Sequence, residues 1–316
     1  MKPLLNLLVA HKPEAKPLLS LFGLREVMSV PHPVYCNDEG LCLAVSGNGS
    51  AAMAEAVAFL AGLQSAEGAE GPAGVAGAAP AWLNVGIAGH GSAAVGEGVL
   101  INKIQSSTDS HNYYPTPLAS SPSMSIKLSG LKTVHEIERD YPESVAYDME
   151  GAAFWRAAIK YGALDNIQLF KIVSDNPEQH VDQFSLDSIP ALFGHNKDQL
   201  RLLVEGLLHS AARYREHYDL PEELGLISAQ FRLTATQQSQ LKQLLQQGTT
   251  LSAHGSAAAK EEWRACLLKL CRTDKDSLGD GAVASQSTRG KAASAQLLKN
   301  LREEIDRMQS IYRPVM

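Results

Sequence analysis

Three carboxylates stand where a predicted strand gives way to a turn: Glu14, Glu150 and Asp175. Glu14 follows the apolar run 4–10, Glu150 follows 145–149, and Asp175 follows 168–174. In open α/β sheets the carboxyl ends of the strands face the ligand crevice. A carboxyl group placed there can give or take a proton, and an ionised one offers two acceptor oxygens to a pair of hydroxyls. Ser174 adjoins Asp175 and can orient it. Each acid also has a plain structural reading, as a helix N-cap or first-turn acid, and the sequence alone leaves both open.

The elements that must position these groups are legible from apolar patterning. Run 4–10 reads as a first buried strand rather than a leader, because it is short, carries Asn6 and enters the charged turn His11-Lys12-Pro13-Glu14. A helix follows from Pro13 to 21, and segments 34–36 and 41–45 flank Asn37-Asp38-Glu39-Gly40 as a hairpin. The glycine turn Ser46-Gly47-Asn48-Gly49-Ser50 opens an alanine-rich helix over 51–63, which is the layout of an α/β unit. Residues 65–80 read as a flexible loop. Strands are predicted at 82–85, 98–104, 145–149 and 168–174, and helices at 134–140, 151–161 and 189–218. The polar stretch 106–125 reads as a functional loop.

Beyond about residue 222 the texture changes to three amphipathic helices, 234–247, 257–271 and 291–312. From Ile227 onward 13 Lys and Arg stand against 8 Asp and Glu, a surplus of +5, so the rest of the chain carries −11 of the net −6. Two units are therefore expected, 1–222 and 223–316. The basic surplus fits a solvated helical face better than a nucleic-acid contact, and packing or self-association is the expected role of the tail. No apolar run approaches the roughly 20 residues of a membrane span. The 10 histidines show no HExxH spacing, and Cys36, Cys42, Cys266 and Cys271 form no CxxC. No metal site and no disulfide framework is expected; the cysteines read as free core thiols of a reducing cytoplasm.

Five segments in order carry a family resemblance: Val9-Ala10-His11-Lys12-Pro13-Glu14, Ser46-Gly47-Asn48-Gly49-Ser50-Ala51-Ala52, Asn84-Val85-Gly86-Ile87-Ala88-Gly89 with Val95-Gly96-Glu97, Tyr147-Asp148-Met149-Glu150-Gly151-Ala152-Ala153, and Lys171-Ile172-Val173-Ser174-Asp175. Over roughly residues 3–215 the chain resembles the nucleoside phosphorylase and nucleosidase superfamily. Within it, the nearest pattern is that of the nucleosidases acting on methylthioadenosine and S-adenosylhomocysteine. The resemblance implies a three-layer α/β fold with a mixed central sheet, extended here by C-terminal helices. It implies cleavage of a purine nucleoside without cofactor or metal, in a cytoplasmic homodimer. By the same resemblance Glu14 activates water, Asp175 protonates the base and Ser174 orients Asp175. Glu150 would grip the ribose hydroxyls and Met149 would wall the sugar, with Ala88, Gly89 and Lys171 also at the substrate.

The residue types suit that chemistry. Breaking an N-glycosidic bond builds oxocarbenium character on the sugar, and the base leaves well only when protonated. The chain also departs from the pattern. Asn84 stands where phosphorylases carry a phosphate-gripping arginine, which favours water as nucleophile. Ile87 replaces a serine that helps hold the water, and Lys171 replaces an arginine. The segment between Glu97 and Tyr147 is short, with Leu128-Ser129-Gly130-Leu131 as the remnant of a base-binding stretch and Tyr113 and Tyr114 as candidate stacking residues. A phosphate-dependent phosphorylase and a catalytically lapsed nucleoside-binding module are the alternatives.

Overall fold

The apolar run near the start forms strand β1 (Leu5–Val9), buried at every residue. Helix α1 (Lys12–Phe22) follows, with proline in its first turn and Gly23 at its end in the left-handed region, φ 63°. The protein is described here from a computed structural model, which covers residues 3–66, 80–107, 111–118, 126–218, 227, 231, 233–254, 257–271 and 286–311.

Strands β2 (Arg25–Met28), β3 (Val34–Cys36) and β4 (Leu41–Val45) lead to helix α2 (Ser50–Ala66). Strand β5 runs over Ala81–His90, well past the expected 82–85. Its glycine-rich second half stays extended because strand β10 (Ile167–Asp175) pairs with it in parallel from Trp82 to Gly89, and β9 (Ala146–Asp148) pairs at Gly89 and His90. Between them come β6 (Gly98–Ser106), β7 (Asn112–Tyr113) and β8 (Lys127–Thr133), and after β9 the helix α3 (Gly151–Ala158). Among the described residues all ten strands join one mixed sheet. Strands β5, β9, β8, β6 and β10 close on one another, since β10 pairs with both β5 and β6.

Helices cover both faces of this sheet. Leu7, Val9, Leu83 and Val85 point into one apolar cluster with Leu18 of α1, Phe193 of α4 (Ile189–His195) and Leu203 of α5 (Lys197–Tyr218). Leu8, Trp82 and Ala88 point into the other, with Met53 and Val57 of α2 and Phe154 and Trp155 of α3. The alternation along β1 and β5 is the period-2 signature of a strand buried on both faces. The fold is α/β, with three layers and a helical part toward the C-terminus.

Among the described residues the chain divides into two compact units at Ala212/Arg213, inside α5, where the sequence placed a boundary near 222. The second unit contains helices Ala235–His254, Ala257–Cys271 and Gln286–Ile311. Its own core joins Leu241, Leu245, Trp263, Leu267, Leu301 and Ile305. No helix of the described residues is long and apolar enough to cross a membrane.

Three expectations need correction. Residues 134–140 form no helix. Ile137 is 55% exposed, so the stretch has no layer to pack against, and Tyr141-Pro142 at its end disfavours helical backbone. The helix expected over 189–218 breaks at Asn196, whose side chain donates to the carbonyls of Gly96 and Leu192. Cys36 and Cys42 are not free thiols but a disulfide. The antiparallel register of β3 and β4 sets them directly opposite, which a search for CxxC spacing does not see. Such pairs persist in oxidising surroundings, so these cysteines lend no support to a reducing compartment. Most of the loop expected at 65–80 lies outside the described residues. Peptide mapping checks the pairing: the segment bearing Cys36 and Cys42 should take up no alkylating agent before reduction and two equivalents after it.

Candidate active site

Glu14 lies in the first turn of α1 and is 1% exposed. Its Oε2 accepts from the backbone N–H of Ala10 (3.0 Å) and of His11 (2.9 Å), and its Oε1 accepts from that of Ile87 (2.9 Å). The bond to His11 at the N-cap is the first-turn role. The bond to Ile87 does something further, tying the start of α1 to β5. The serine expected at position 87 is absent, and here the Ile87 amide holds the carboxylate. A Cβ placed on Gly86 would stand 3.0 Å from Glu14 Oε1 and 3.7 Å from Lys171 Nζ, so both charged groups crowd the same bare stretch of β5.

Glu150 occupies the N-cap position of α3 yet makes no side-chain capping bond. The first amides of that helix are met by others: Asp148 Oδ2 accepts from Gly151 N–H at 2.8 Å, and Thr133 Oγ1 from Ala152 N–H at 2.9 Å. Glu150 Oε1 instead accepts from the Gly49 N–H at 2.6 Å, in the turn before α2. Gly49 has φ 89°, a region open mainly to glycine. Ser50 Oγ donates to the Met149 carbonyl at 3.0 Å, closing this turn onto the Met149-Glu150 pair. Burial holds the Glu150 carboxyl above the usual carboxylate range, and the charges of Asp148 and Glu14 add to it. The Gly49 amide and Lys171 act in the opposite sense.

Lys171 and Asp148 form a buried ion pair, 2.8 Å apart with both side chains 2% exposed. Asp148 Oδ1 also accepts from Thr133 Oγ1 at 2.7 Å. The Lys171 ammonium, expected at the substrate, is thus committed to the residue two before Glu150.

Asp175 is 5% exposed. Ser174 Oγ donates to its Oδ1 at 2.5 Å, and Tyr141 O–H donates to its Oδ2 at 2.6 Å. The turn Val95-Gly96-Glu97 shapes this strand end, because Gly96 N–H donates to the Val173 carbonyl and Val173 N–H to that of Glu97. The register of β10 against β5 slips between Val173 and Asp175, bringing Asp175 opposite Gly89. A Cβ on Gly89 would lie 2.7 Å from Asp175 Oδ2 and 2.9 Å from the Tyr141 ring, so any side chain there would have to push one or both aside. The Ala88 methyl packs in the cluster of α2 and α3, which leaves only its backbone for a ligand. A cavity of about 270 Å³ opens against Ser174, lined also by Val95, Gln179, His180, Phe184 and Leu192.

Glu14 and Lys171 thus both approach Gly86, with Asp148 paired to Lys171 and the Glu150 carboxyl near enough to feel all three charges. Asp175, Ser174, Gly89 and Tyr141 form a second group three residues along β5. Strand β8 contains the 128–131 segment read as a base-binding remnant, between β6 and β9. Of the tyrosines expected to stack, Tyr113 packs against an apolar cluster and Tyr114 is 67% exposed. The aromatic ring beside Asp175 is Tyr141, the residue just past the helix predicted over 134–140, and nothing in the sequence singled it out. Asp148 was missed too, because it lies two residues before the N-cap Glu150, outside the position where a capping acid is sought.

No protein-family model and no curated protein matches the chain. Among solved structures it is similar to the 5′-methylthioadenosine/S-adenosylhomocysteine nucleosidase of S. pneumoniae with a transition-state inhibitor, at 18% identity over 66% of this chain and 98% of that one, TM-score 0.46. It is likewise similar to the 5′-methylthioadenosine nucleosidase of Arabidopsis thaliana, at 17% identity over 65% and 97%, TM-score 0.47. The corresponding nucleosidase of Chlamydia trachomatis matches at 20% identity over 68% and 100%, TM-score 0.43.

Two substitutions probe the first group. A carboxyl whose folded pKa is raised contributes stability below its unfolded pKa and loses it as pH rises through the folded one. Glu150→Gln keeps an acceptor for Gly49 and removes the charge, so thermal melts should show it more stable than the parent at neutral pH, with the gain disappearing in acid. Lys171→Met strands the Asp148 carboxylate without its partner, and urea unfolding should show a loss of about 3–5 kcal/mol.

Proposed function

We propose that this chain is a nucleosidase that hydrolyses the N-glycosidic bond of an adenosine-type purine nucleoside. The observation that carries the reading is Glu150. It stands at a helix start where it is not needed as a cap, and it is held instead against a glycine turn with its charge disfavoured by burial. A carboxylate in that condition gains from a pair of hydroxyl donors, which the 2′ and 3′ positions of a ribose offer.

In this reading water attacks C1′ of the sugar as the bond to the base breaks. Glu14 takes the proton of the water. Asp175 gives a proton to the leaving purine at N7, Ser174 keeps the Asp175 carboxyl in place, and Met149 walls the sugar. Gly86 and Gly89 are three residues apart, roughly 10 Å of extended chain. Glu14 lies against the first of these glycines and Asp175 against the second. The side chain of Asn84 donates to the Leu8 carbonyl inside the sheet and brings no positive charge, which supports water rather than phosphate as nucleophile. A homodimer is the assembly the sequence resemblance implies, and light scattering on the purified chain tests it.

One observation favours a second reading, a nucleoside-binding module without turnover. Both oxygens of Glu14 are engaged by backbone amides and the group is almost wholly buried. A panel of purine nucleosides assayed for free base decides between them. Release without phosphate, lowered by at least about a hundredfold in Glu14→Gln and in Asp175→Asn, is the expected outcome. Strict dependence on phosphate points to a phosphorylase, and binding without release to the module.

A further inference from the structure

Tyr141 packs directly on Asp175, and the reaction above gives it no task. Its O–H donates to Asp175 Oδ2. Its ring is edge-on to Tyr147 and to His180, with centroids 6.2 and 5.9 Å away, and the residue is 6% exposed. Burial and the Asp175 carboxylate hold its phenol well above the usual range, so it remains a donor at neutral pH. Its backbone is left-handed, φ 45°, a conformation that costs a non-glycine residue and persists only where the surroundings impose it.

Those surroundings include the Val181 backbone, which bonds the phenol oxygen, and reach to the surface. Arg139 pairs with Asp182, and the His180 ring nitrogen Nε2 meets the Arg139 carbonyl at 3.0 Å. Arg139 and Asp182 are 55% and 63% exposed, so their pairing is of the weak surface kind. The stretch 134–145 between β8 and β9 has no helix or strand of its own. The cavity beside Ser174, about 270 Å³, is smaller than the roughly 300–1,000 Å³ of ordinary small-molecule sites.

We propose that Tyr141 is a specificity-determining residue that a ligand has to displace: its O–H occupies the Asp175 oxygen that a nucleobase would use, and the site admits a ring only if that ring returns a hydrogen-bond donor to the same oxygen. The proposal rests on the nucleosidase reading. Displacement breaks the bonds of the phenol to Asp175 and to the Val181 backbone and withdraws the ring from Tyr147 and His180. Glu143, held by Lys132 and by the Tyr147 hydroxyl, stays in place, and the stretch ahead of it, tied through the weak Arg139 pair, moves without unfolding β8 or β9.

Calorimetric titration with adenine, on the full chain, tests this. Tyr141→Phe keeps the ring and removes the competing donor, so adenine should bind about tenfold tighter. KM for a nucleoside that turns over should fall in step while kcat moves less. Arg139→Ala, which leaves the site itself intact, should shift binding in the same direction by a smaller factor, and it carries the test if the phenylalanine variant does not fold. Unchanged or weaker adenine binding in folded Tyr141→Phe overturns the proposal, since the phenol would then be holding Asp175 in place. Adenine bound by neither parent nor variant overturns it as well. Base release by the parent is read in a separate assay, so the nucleosidase reading stands or falls independently.

Discussion

A carboxylate that caps a helix has little left for a ligand, and the candidate site depends on how the chain escapes that constraint. Asp148 takes the capping work at the start of α3, together with Thr133, and Lys171 balances its charge in the buried interior. One side chain thereby joins β8, β9 with its helix, and β10. A buried ion pair of this kind adds little net stability against an apolar replacement, but neither partner can be removed alone without leaving a bare charge. The consequence is positional. Glu150, two residues on, is released from the helix end and turned toward the glycine turn at 46–50.

Strand β5 organises the rest. It pairs with β1, β9 and β10, so its second half is held extended although Gly86, Ala88 and Gly89 have little intrinsic preference for a strand. The two glycines are the places where charged or aromatic neighbours come close against the bare backbone. Glu14 and Lys171 approach at the first, Asp175 and Tyr141 at the second. The closed ring of five strands limits how far either group can drift, because Lys171 is paired to both β5 and β6, and Gly89 to both β9 and β10.

The charge distribution follows from the same packing. Glu14, Asp148, Lys171 and Asp175 are almost wholly buried, and each has its oxygens or ammonium bonded within the chain. Glu150 has its carboxyl held above the usual range, because burial and two neighbouring carboxylates outweigh one amide and one ammonium. Hydroxyl donors brought from outside would therefore stabilise its charge.

Apolar periodicity by itself determined most of the strands and helices and the helical change of texture toward the C-terminus, while the three-layer class came from the family resemblance of five short segments. The strand-end positions of Glu14, Glu150 and Asp175 were equally legible, because a polar residue closing an apolar run is a local signal. What the acids do was not local. Whether Glu150 caps its helix depended on Asp148, Thr133 and Lys171, drawn from three different strands. Tyr141 reached Asp175 because residues 134–140 found no layer to pack against and stayed irregular, and Cys36 met Cys42 because hairpin register set them opposite. These outcomes come from pairings between distant segments, where burial and charge are shared, and only the tertiary structure decided them.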